Sequence, residues 1–248
     1  MMGFIRAVLF YLGIFSGMII LGTPYIIYKG AICRRKNEIT NVCSFYFRNV
    51  IFKFFGLKIK VEGTENIPKD RGFVIVANHM SFLDIPVMWP AIGNTAFIAK
   101  AALWKAPVFG WVLNSIGCIP VHKNPRANAG MGKLVRDRLD KKYNITVFPE
   151  GHRSADGKML SFQNGIFKMA KENQLSLLPV TLIGTGDCLP KVKWAMYPGE
   201  VCIVIHPLHN PESFADKSIS DLRNEFHEII ESALPYKQAE AASVSKEA

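Results

Sequence analysis

The sequence is poor in the residues that build small stapled scaffolds. Five cysteines occur in 248 residues (Cys33, Cys43, Cys118, Cys188 and Cys202), an odd number with no CxxC spacing. That excludes a disulfide framework and a structural zinc site, and leaves buried free thiols in a reducing compartment. His122, His206, His209 and His227 show no metal-ligand spacing either. There is no GxSxG elbow, no Walker loop and no HExxH, so a serine elbow, a P-loop and a zincin site are absent. Gly184-Thr185-Gly186 invites a dinucleotide reading, but Leu189 stands where the third glycine belongs. No repeat recurs at a fixed period, which excludes solenoids and propellers. At 49% hydrophobic and 20% charged, the chain is not disordered. It has the length of one large domain, or of one domain with an appendage.

Acidic residues are scarce, and not evenly so. The chain carries 30 Lys and Arg against 20 Asp and Glu, a net charge of +10. Residues 206–248 hold 4 basic and 8 acidic residues, so residues 1–205 hold 26 and 12. A basic body calls for an anionic partner: nucleic acid, an anionic membrane or a phosphorylated substrate. The first sixty residues choose among these, with nine Lys and Arg and a single acid, Glu38. Residues 7–28 contain no charged side chain. As a helix they would span about 33 Å against a hydrocarbon core of about 30 Å. The run is too long for a signal peptide and lacks a clean cleavage site, so it reads as a retained anchor, kinked or re-entrant at Pro24 and its glycines. Lys29, Arg34, Arg35 and Lys36 follow it, which places the downstream side in the cytoplasm. Residues 40–60 interleave Phe45, Phe52, Phe54 and Phe55 with Arg48, Lys53, Lys58 and Lys60, the composition of an interfacial amphipathic helix. The other reading of that stretch is a core helix of the domain. A nucleic-acid binder would instead interleave cations with aromatics on a sheet surface. The partner is therefore expected to be a phospholipid bilayer and not nucleic acid.

Beyond residue 60, short apolar runs alternate with helical stretches. Strands are expected at 58–62, 73–77, 96–99, 118–121, 145–148, 176–183 and 201–205. Helices are expected at 82–92, 107–115, 126–143, 163–173 and 219–234, the last capped by Ser218 or Ser220. This alternation predicts an α/β domain, a mostly parallel sheet flanked by helices. The expected organisation is a membrane-associated two-helix segment over 1–57, the α/β domain over 58–236 and a disordered tail over 237–248.

In such a sheet the chemistry sits in loops at the C-terminal ends of strands. Asn78-His79-Met80-Ser81-Phe82-Leu83-Asp84 follows the run 73–77. On one helix His79 and Asp84 would diverge by about 140°, but across a strand–loop–helix junction they can meet. A histidine oriented by a carboxylate is a general base. The same residues form an S-x-x-D capping pattern, so Asp84 also suits the helix start, and its carboxylate can serve both. Phe148-Pro149-Glu150-Gly151-His152-Arg153-Ser154 ends another strand. Gly151 allows close backbone approach, and Arg153 offers a planar fork for phosphate. The plain alternatives are a solvated turn and an Arg153–Glu150 pair. Lys100 and Lys123 each follow a strand, where ordinary surface lysines also occur. Leu178-Pro179-Val180 lies inside a strand.

Taken in order, these blocks resemble the glycerolipid acyltransferase family, most closely the 1-acyl-glycerol-3-phosphate acyltransferases. Asn78, His79 and Asp84 match its NHx4D motif, and Phe148 to Ser154 match FPEGxRS. Residues 117–123 match the glycine-led third block and residues 178–180 the late proline block. The resemblance covers roughly residues 60–205. It departs at Lys123, where Arg is usual, at His152, where Thr is common, and at Ala102, where an acid often follows the lysine. It implies transfer of an acyl chain from acyl-CoA or acyl carrier protein to the free hydroxyl of lysophosphatidic acid, giving phosphatidic acid. His79 would be the base and Asp84 its orienting carboxylate. Glu150, Gly151, Arg153, Lys100 and Lys123 would bind substrate. No covalent acyl-enzyme, cofactor or metal is implied. Other acceptors of the same chemistry are glycerol-3-phosphate, another lysophospholipid or a non-glycerol lipid. A non-catalytic membrane lipid-binding module is the alternative of another class.

Overall fold

The computed structural model describes residues 1–17, 20 and 39–247. Helix α1 (Met2–Gly17) is followed by α2 (Ile39–Tyr46), which runs on through a π-helical turn (Phe47–Ile51) and a last α-turn (Phe52–Phe55) to Gly56. The α/β part then reads β1 (Leu57–Glu62), β2 (Val74–Ala77), α3 (Asp84–Ile92), β3 (Thr95–Lys100), α4 (Pro107–Ile116) and β4 (Ile119–Val121). It continues with α5 (Met131–Asp140), β5 (Asn144–Val147), α6 (Gly165–Asn173), β6 (Leu177–Ile183), β7 (Gly199–Ile205), α7 (Ile219–Ser232) and α8 (Pro235–Glu247).

The strands form one sheet in the order β1-β7-β6-β2-β5-β3-β4. Every described pairing is parallel except β6 with β7. Strand β2 is Val-Ile-Val-Ala and fully buried, as a central parallel strand covered on both faces must be. Strand β1, Leu-Lys-Ile-Lys-Val-Glu, alternates because it closes an edge with one face in water. Because β2, β5, β3 and β4 lie side by side and run the same way, the loops that follow them emerge at one end of the sheet. The α/β class and the mostly parallel sheet agree with the sequence reading, and the expected strands differ from the observed ones by no more than two residues at an end.

Three expectations are corrected. The helix expected over 126–143 is α5, Met131–Asp140, preceded by a separate 3₁₀ turn (Pro125–Asn128). Pro125 opens that turn, and Gly130, at φ +84°, breaks the path between the two. The tail expected to be disordered is helical over Pro235–Glu247. Lys237, Gln238, Ala239, Glu240, Ala241 and Ala242 are strong helix formers, and Pro235 starts the helix. Tyr236 pins it, its hydroxyl donating to Glu231 and accepting from the Met159 N–H.

The third correction is the boundary at 57. Residues 39–55 are not separate from the domain: Phe47, Ile51, Phe52 and Phe55 are buried in the one core, with Phe47 stacked on Trp89 of α3. Ala7, Phe10 and Ile14 of α1 join the same core. Phe10 meets Phe55 edge-on, and Arg6 donates to the Phe55 carbonyl. Among the described residues no helix is long and apolar enough to cross a membrane. Most of the apolar run after Gly17, with the cations at 29 and 34–36, lies outside the described residues.

Candidate active site

Strand β2 ends at Ala77, and the Asn78 side chain carries its ladder one step further. Asn78 Nδ2 donates to Leu182 O at 2.9 Å, and Leu182 N donates back to Oδ1 at 2.7 Å. The chain then turns into α3 through a loop held from within. Ser81 Oγ donates to Leu189 O and accepts from Leu83 N. Asp84, fully buried at the first position of α3, gathers the rest on one atom. Its Oδ2 takes His79 Nδ1 at 2.7 Å and the Met80 and Ser81 N–H groups at 2.8 Å each. One oxygen therefore both orients the histidine and ties down the loop main chain; of the S-x-x-D capping pattern only the reach-back to Ser81 N forms, and the N-cap position, Leu83, has no side-chain cap bond. Oδ1 is buried with no partner among the described residues.

A carboxylate can only accept, so Nδ1 of His79 carries the hydrogen and Nε2 keeps its lone pair. The His79 side chain is 17% exposed, and its ring stacks on Phe148 with centroids 4.2 Å apart. The first residue of the second motif thus fixes the plane of the histidine, a role that the sequence reading missed. His79 O also accepts from Ser154 N at 2.9 Å, joining the two motif loops through their backbones.

Glu150 lies beside the histidine but is not open to a ligand. Its Oε1 accepts from His79 N at 2.6 Å and its Oε2 from Leu160 N at 2.8 Å. Burial pushes its carboxyl up to about 7, an effect only partly offset by those two N–H groups and added to by the nearby Asp84 charge. Gly151 is at φ +71°, and a Cβ there would stand 2.6 Å from Gln163 Nε2. The positive φ is what favours glycine, since the Gln163 side chain can swing aside. Arg153 is half-buried. Its carbonyl accepts from Lys191 Nζ at 2.6 Å, and its positive charge acts on the Tyr11 hydroxyl of α1, whose ionisation burial nonetheless pushes up. The Arg153–Glu150 pair does not form, since Glu150 is already engaged by the main chain. Lys100 ends β3 and Lys123 follows β4, both exposed. With strands about 4.8 Å apart, they stand roughly 10 and 14 Å along the sheet from the strand that carries His79. All seven candidate site residues thus lie at one end of the sheet, with His79 bonded to Asp84 through its ring and to Glu150 through its main-chain N–H.

The thiols are placed otherwise. Burial pushes Cys43 and Cys118 up to about 12 and Cys188 to about 11, so none of these is a thiolate at neutral pH. Cys33 lies outside the described residues. Among the described residues no three His, Cys, Asp or Glu side chains converge to hold a metal ion.

A histidine held by a buried carboxylate at the end of a mostly parallel sheet, with lysines at the same end, is an arrangement suited to base-assisted group transfer. Comparison with known proteins makes the class specific. The acyltransferase family model matches residues 58–183, just over half of the chain, and the chain belongs to that family. It is 31% identical over 218 residues to a chloroplastic 1-acyl-sn-glycerol-3-phosphate acyltransferase of Arabidopsis thaliana, covering 86% of this chain and 60% of that one. It is 29% identical over 228 residues to the 1-acyl-sn-glycerol-3-phosphate acyltransferase of Pseudomonas aeruginosa, covering 88% and 86%. The crystal structure of the 1-acyl-sn-glycerophosphate acyltransferase PlsC from Thermotoga maritima superposes with a TM-score of 0.76 at 30% identity, covering 92% of each chain. Against the chloroplastic relatives from Arabidopsis thaliana and Brassica napus, this chain spans only 60% and 52% of their length.

Proposed function

We propose that this chain transfers an acyl group from a thioester, acyl-CoA or acyl carrier protein, to the free hydroxyl of lysophosphatidic acid, giving phosphatidic acid. The observation that carries the reading is the 2.7 Å bond between His79 Nδ1 and the buried Asp84 carboxylate. Nε2 of His79 takes the hydroxyl proton as the acceptor oxygen attacks the thioester carbonyl. The new C–O bond forms, the C–S bond breaks, and the imidazolium returns its proton to the departing thiolate. Asp84 stabilises the imidazolium in between. Arg153, next to the Ser154 whose N–H bonds to His79 O, and Lys100 at the same sheet end are suited to the acceptor phosphate, with Lys123 one strand further than Lys100. Gly151 lets the main chain approach the ligand, and Glu150 holds the loop to His79.

In this reading the reaction takes place at a bilayer, with the site on the cytoplasmic face. Residues 1–57 support this. One side of α1 packs on the domain while Phe4, Ile5, Leu9, Leu12 and Phe15 remain exposed, and Phe45, Val50 and Phe54 do the same on the next segment. A helix apolar on all sides needs a second apolar cover. The test is a transfer assay with defined donors and acceptors, read as thiol release and as new diacyl phospholipid. Turnover should require lysophosphatidic acid and a thioester. His79→Ala should lower it about 10²–10⁴-fold in a folded protein. No turnover by the wild-type chain with any lysophospholipid would sink the reading.

A further inference from the structure

Between β6 and β7 the chain makes a loop that the catalytic reading does not use. Residues 189–198 read Leu-Pro-Lys-Val-Lys-Trp-Ala-Met-Tyr-Pro, with two cations and no acid. Ala195 and Met196 face inward and are buried. The large apolar side chains around them face out: Val192 is 65% exposed, Trp194 69% and Tyr197 45%. Solvent alone does not account for three such side chains within six residues.

The loop is nonetheless held firmly. Tyr197 N donates to Cys188 O at 2.8 Å, and Met196 N donates to Gly3 O of α1 at 3.0 Å. The Trp194 ring lies 5.8 Å from that of Tyr11 on α1. At its base Leu189 O accepts from Ser81 Oγ, in the loop of the His79–Asp84 pair. On its other flank Lys191 Nζ reaches the Arg153 carbonyl. It therefore continues the exposed apolar face of α1 directly to the rim of the active site, and it adds cations at that rim.

We infer that residues 191–197 are a second membrane-contacting element, which seats Val192, Trp194 and Tyr197 in the interfacial layer of an anionic bilayer beside α1. Lys191 and Lys193 rest on the headgroups. Tryptophan and tyrosine suit that layer because one end of each ring system is apolar and the other polar. The cations match anionic lipid, as does the net charge of +10. With α1 on one side and this loop on the other, a lysophospholipid can reach the base by sliding along the bilayer without leaving it. The inference rests on the bilayer reading above, and its test is independent of turnover.

The experiment uses the full chain reconstituted in vesicles of phosphatidylcholine and phosphatidylglycerol, with and without acyl chains brominated near the headgroup. Wild type is compared with Trp194→Phe; an exposed ring should be replaceable without loss of fold, which circular dichroism and Tm check. The expected result is that the bromolipid-quenched part of the tryptophan emission is largely lost in the variant, while quenching by aqueous acrylamide changes little. If instead the acrylamide-quenched part is lost, Trp194 is in water and the inference is overturned. If neither part changes, the ring is covered by protein, such as a second copy of this chain, and the inference is equally overturned. As a second reading, Val192→Glu with Trp194→Glu should raise the KM for bilayer-presented acceptor about tenfold and leave transfer to a short-chain monomeric acceptor unchanged. Equal loss on both acceptors would overturn it. Absence of turnover in wild type bears on the proposed reaction and leaves the quenching result standing.

Discussion

Replacing Asp84 with Asn removes a charge while keeping the shape of the side chain, so its effect can be worked from three distances. His79 Nδ1 at 2.7 Å and the Met80 and Ser81 N–H groups at 2.8 Å all converge on Oδ2. The amide oxygen of Asn must take that position, because the flipped amide would set its NH₂ against three donors. Hydrogen therefore stays on Nδ1, and Nε2 stays a base. What disappears is the negative charge facing the imidazolium of the transition state. A charge-assisted hydrogen bond contributes about 1.5–3 kcal/mol and a neutral one about 0.5–1.5. The barrier should rise by about 1–2 kcal/mol, roughly five- to thirtyfold in kcat. The amide NH₂ falls where Oδ1 was, buried with no partner among the described residues. An unsatisfied buried donor costs about 1–3 kcal/mol, or about 2–12 °C in Tm for a chain of this size. Steady-state thiol release at saturating substrates and thermal unfolding measure the two effects separately. A loss near 10⁴-fold would mean an inverted tautomer and would refute the argument from three converging donors. Undiminished kcat in a folded variant would refute the role of the charge itself.

Arg153→Ala should raise the acceptor KM about ten- to a hundredfold with little change in Tm, because the described residues give the guanidinium no ion pair; Arg153→Lys should recover part of the loss. Lys123→Ala, roughly 14 Å along the sheet end, should spare the acceptor and raise the donor KM; equal effects of the two substitutions on both KM values would contradict this division. Glu150 has a folded-state pKa raised to about 7 from 4.5, so its contribution to stability is present below 4.5 and is lost as pH rises through 7. That loss is about 3 kcal/mol; Glu150→Gln should remove this component from the pH dependence of Tm between 4.5 and 7, and an unchanged slope would refute it. Deleting residues 1–57 should give insoluble or unfolded protein, since Phe47, Phe52 and Phe55 leave the core with it and each buried phenylalanine contributes about 3–5 kcal/mol; a soluble, cooperatively folded truncation would restore the boundary at 57.

The sheet was legible because its signal is local. Val74 to Ala77 is a short apolar run too brief for a helix, and Leu57 to Glu62 alternates with a period of two. The His79–Asp84 pair was legible only in part from spacing: five positions exclude a shared helix face and leave a strand–helix junction, but the choice over a plain helix cap came from the resemblance of the ordered NHx4D and FPEGxRS blocks. Glu150 was misjudged because its partners are the main-chain N–H groups of His79 and Leu160. Every residue has such a group, so composition cannot reveal which carboxylate will be consumed by them. Phe148 was overlooked for a related reason. An aromatic at the end of a buried strand reads as core, and only the three-dimensional arrangement shows that the ring it covers is the base.

The N-terminal segment shows where hydropathy reaches its limit. A phenylalanine buried against protein and one buried in lipid leave water at nearly the same gain, about 25 cal/mol per Å² of apolar surface. An apolar helix therefore does not announce which of the two will cover it. In the bilayer reading proposed above, both covers are needed. Phe10 and Ile14 are in the core, while Leu12 and Phe15 on the same helix point away from it. The next segment repeats the division, with Phe52 and Phe55 inside and Phe54 outside. A free transmembrane anchor would have no reason to bury Phe10 against Phe55, and a soluble core helix would have no reason to expose Leu12. On that bilayer reading, the two faces together would tie the domain to the surface at a fixed angle. Because α1 touches the loop that Ser81 holds, the same packing would then aim the end of the sheet that carries His79 at the place where a lipid hydroxyl arrives.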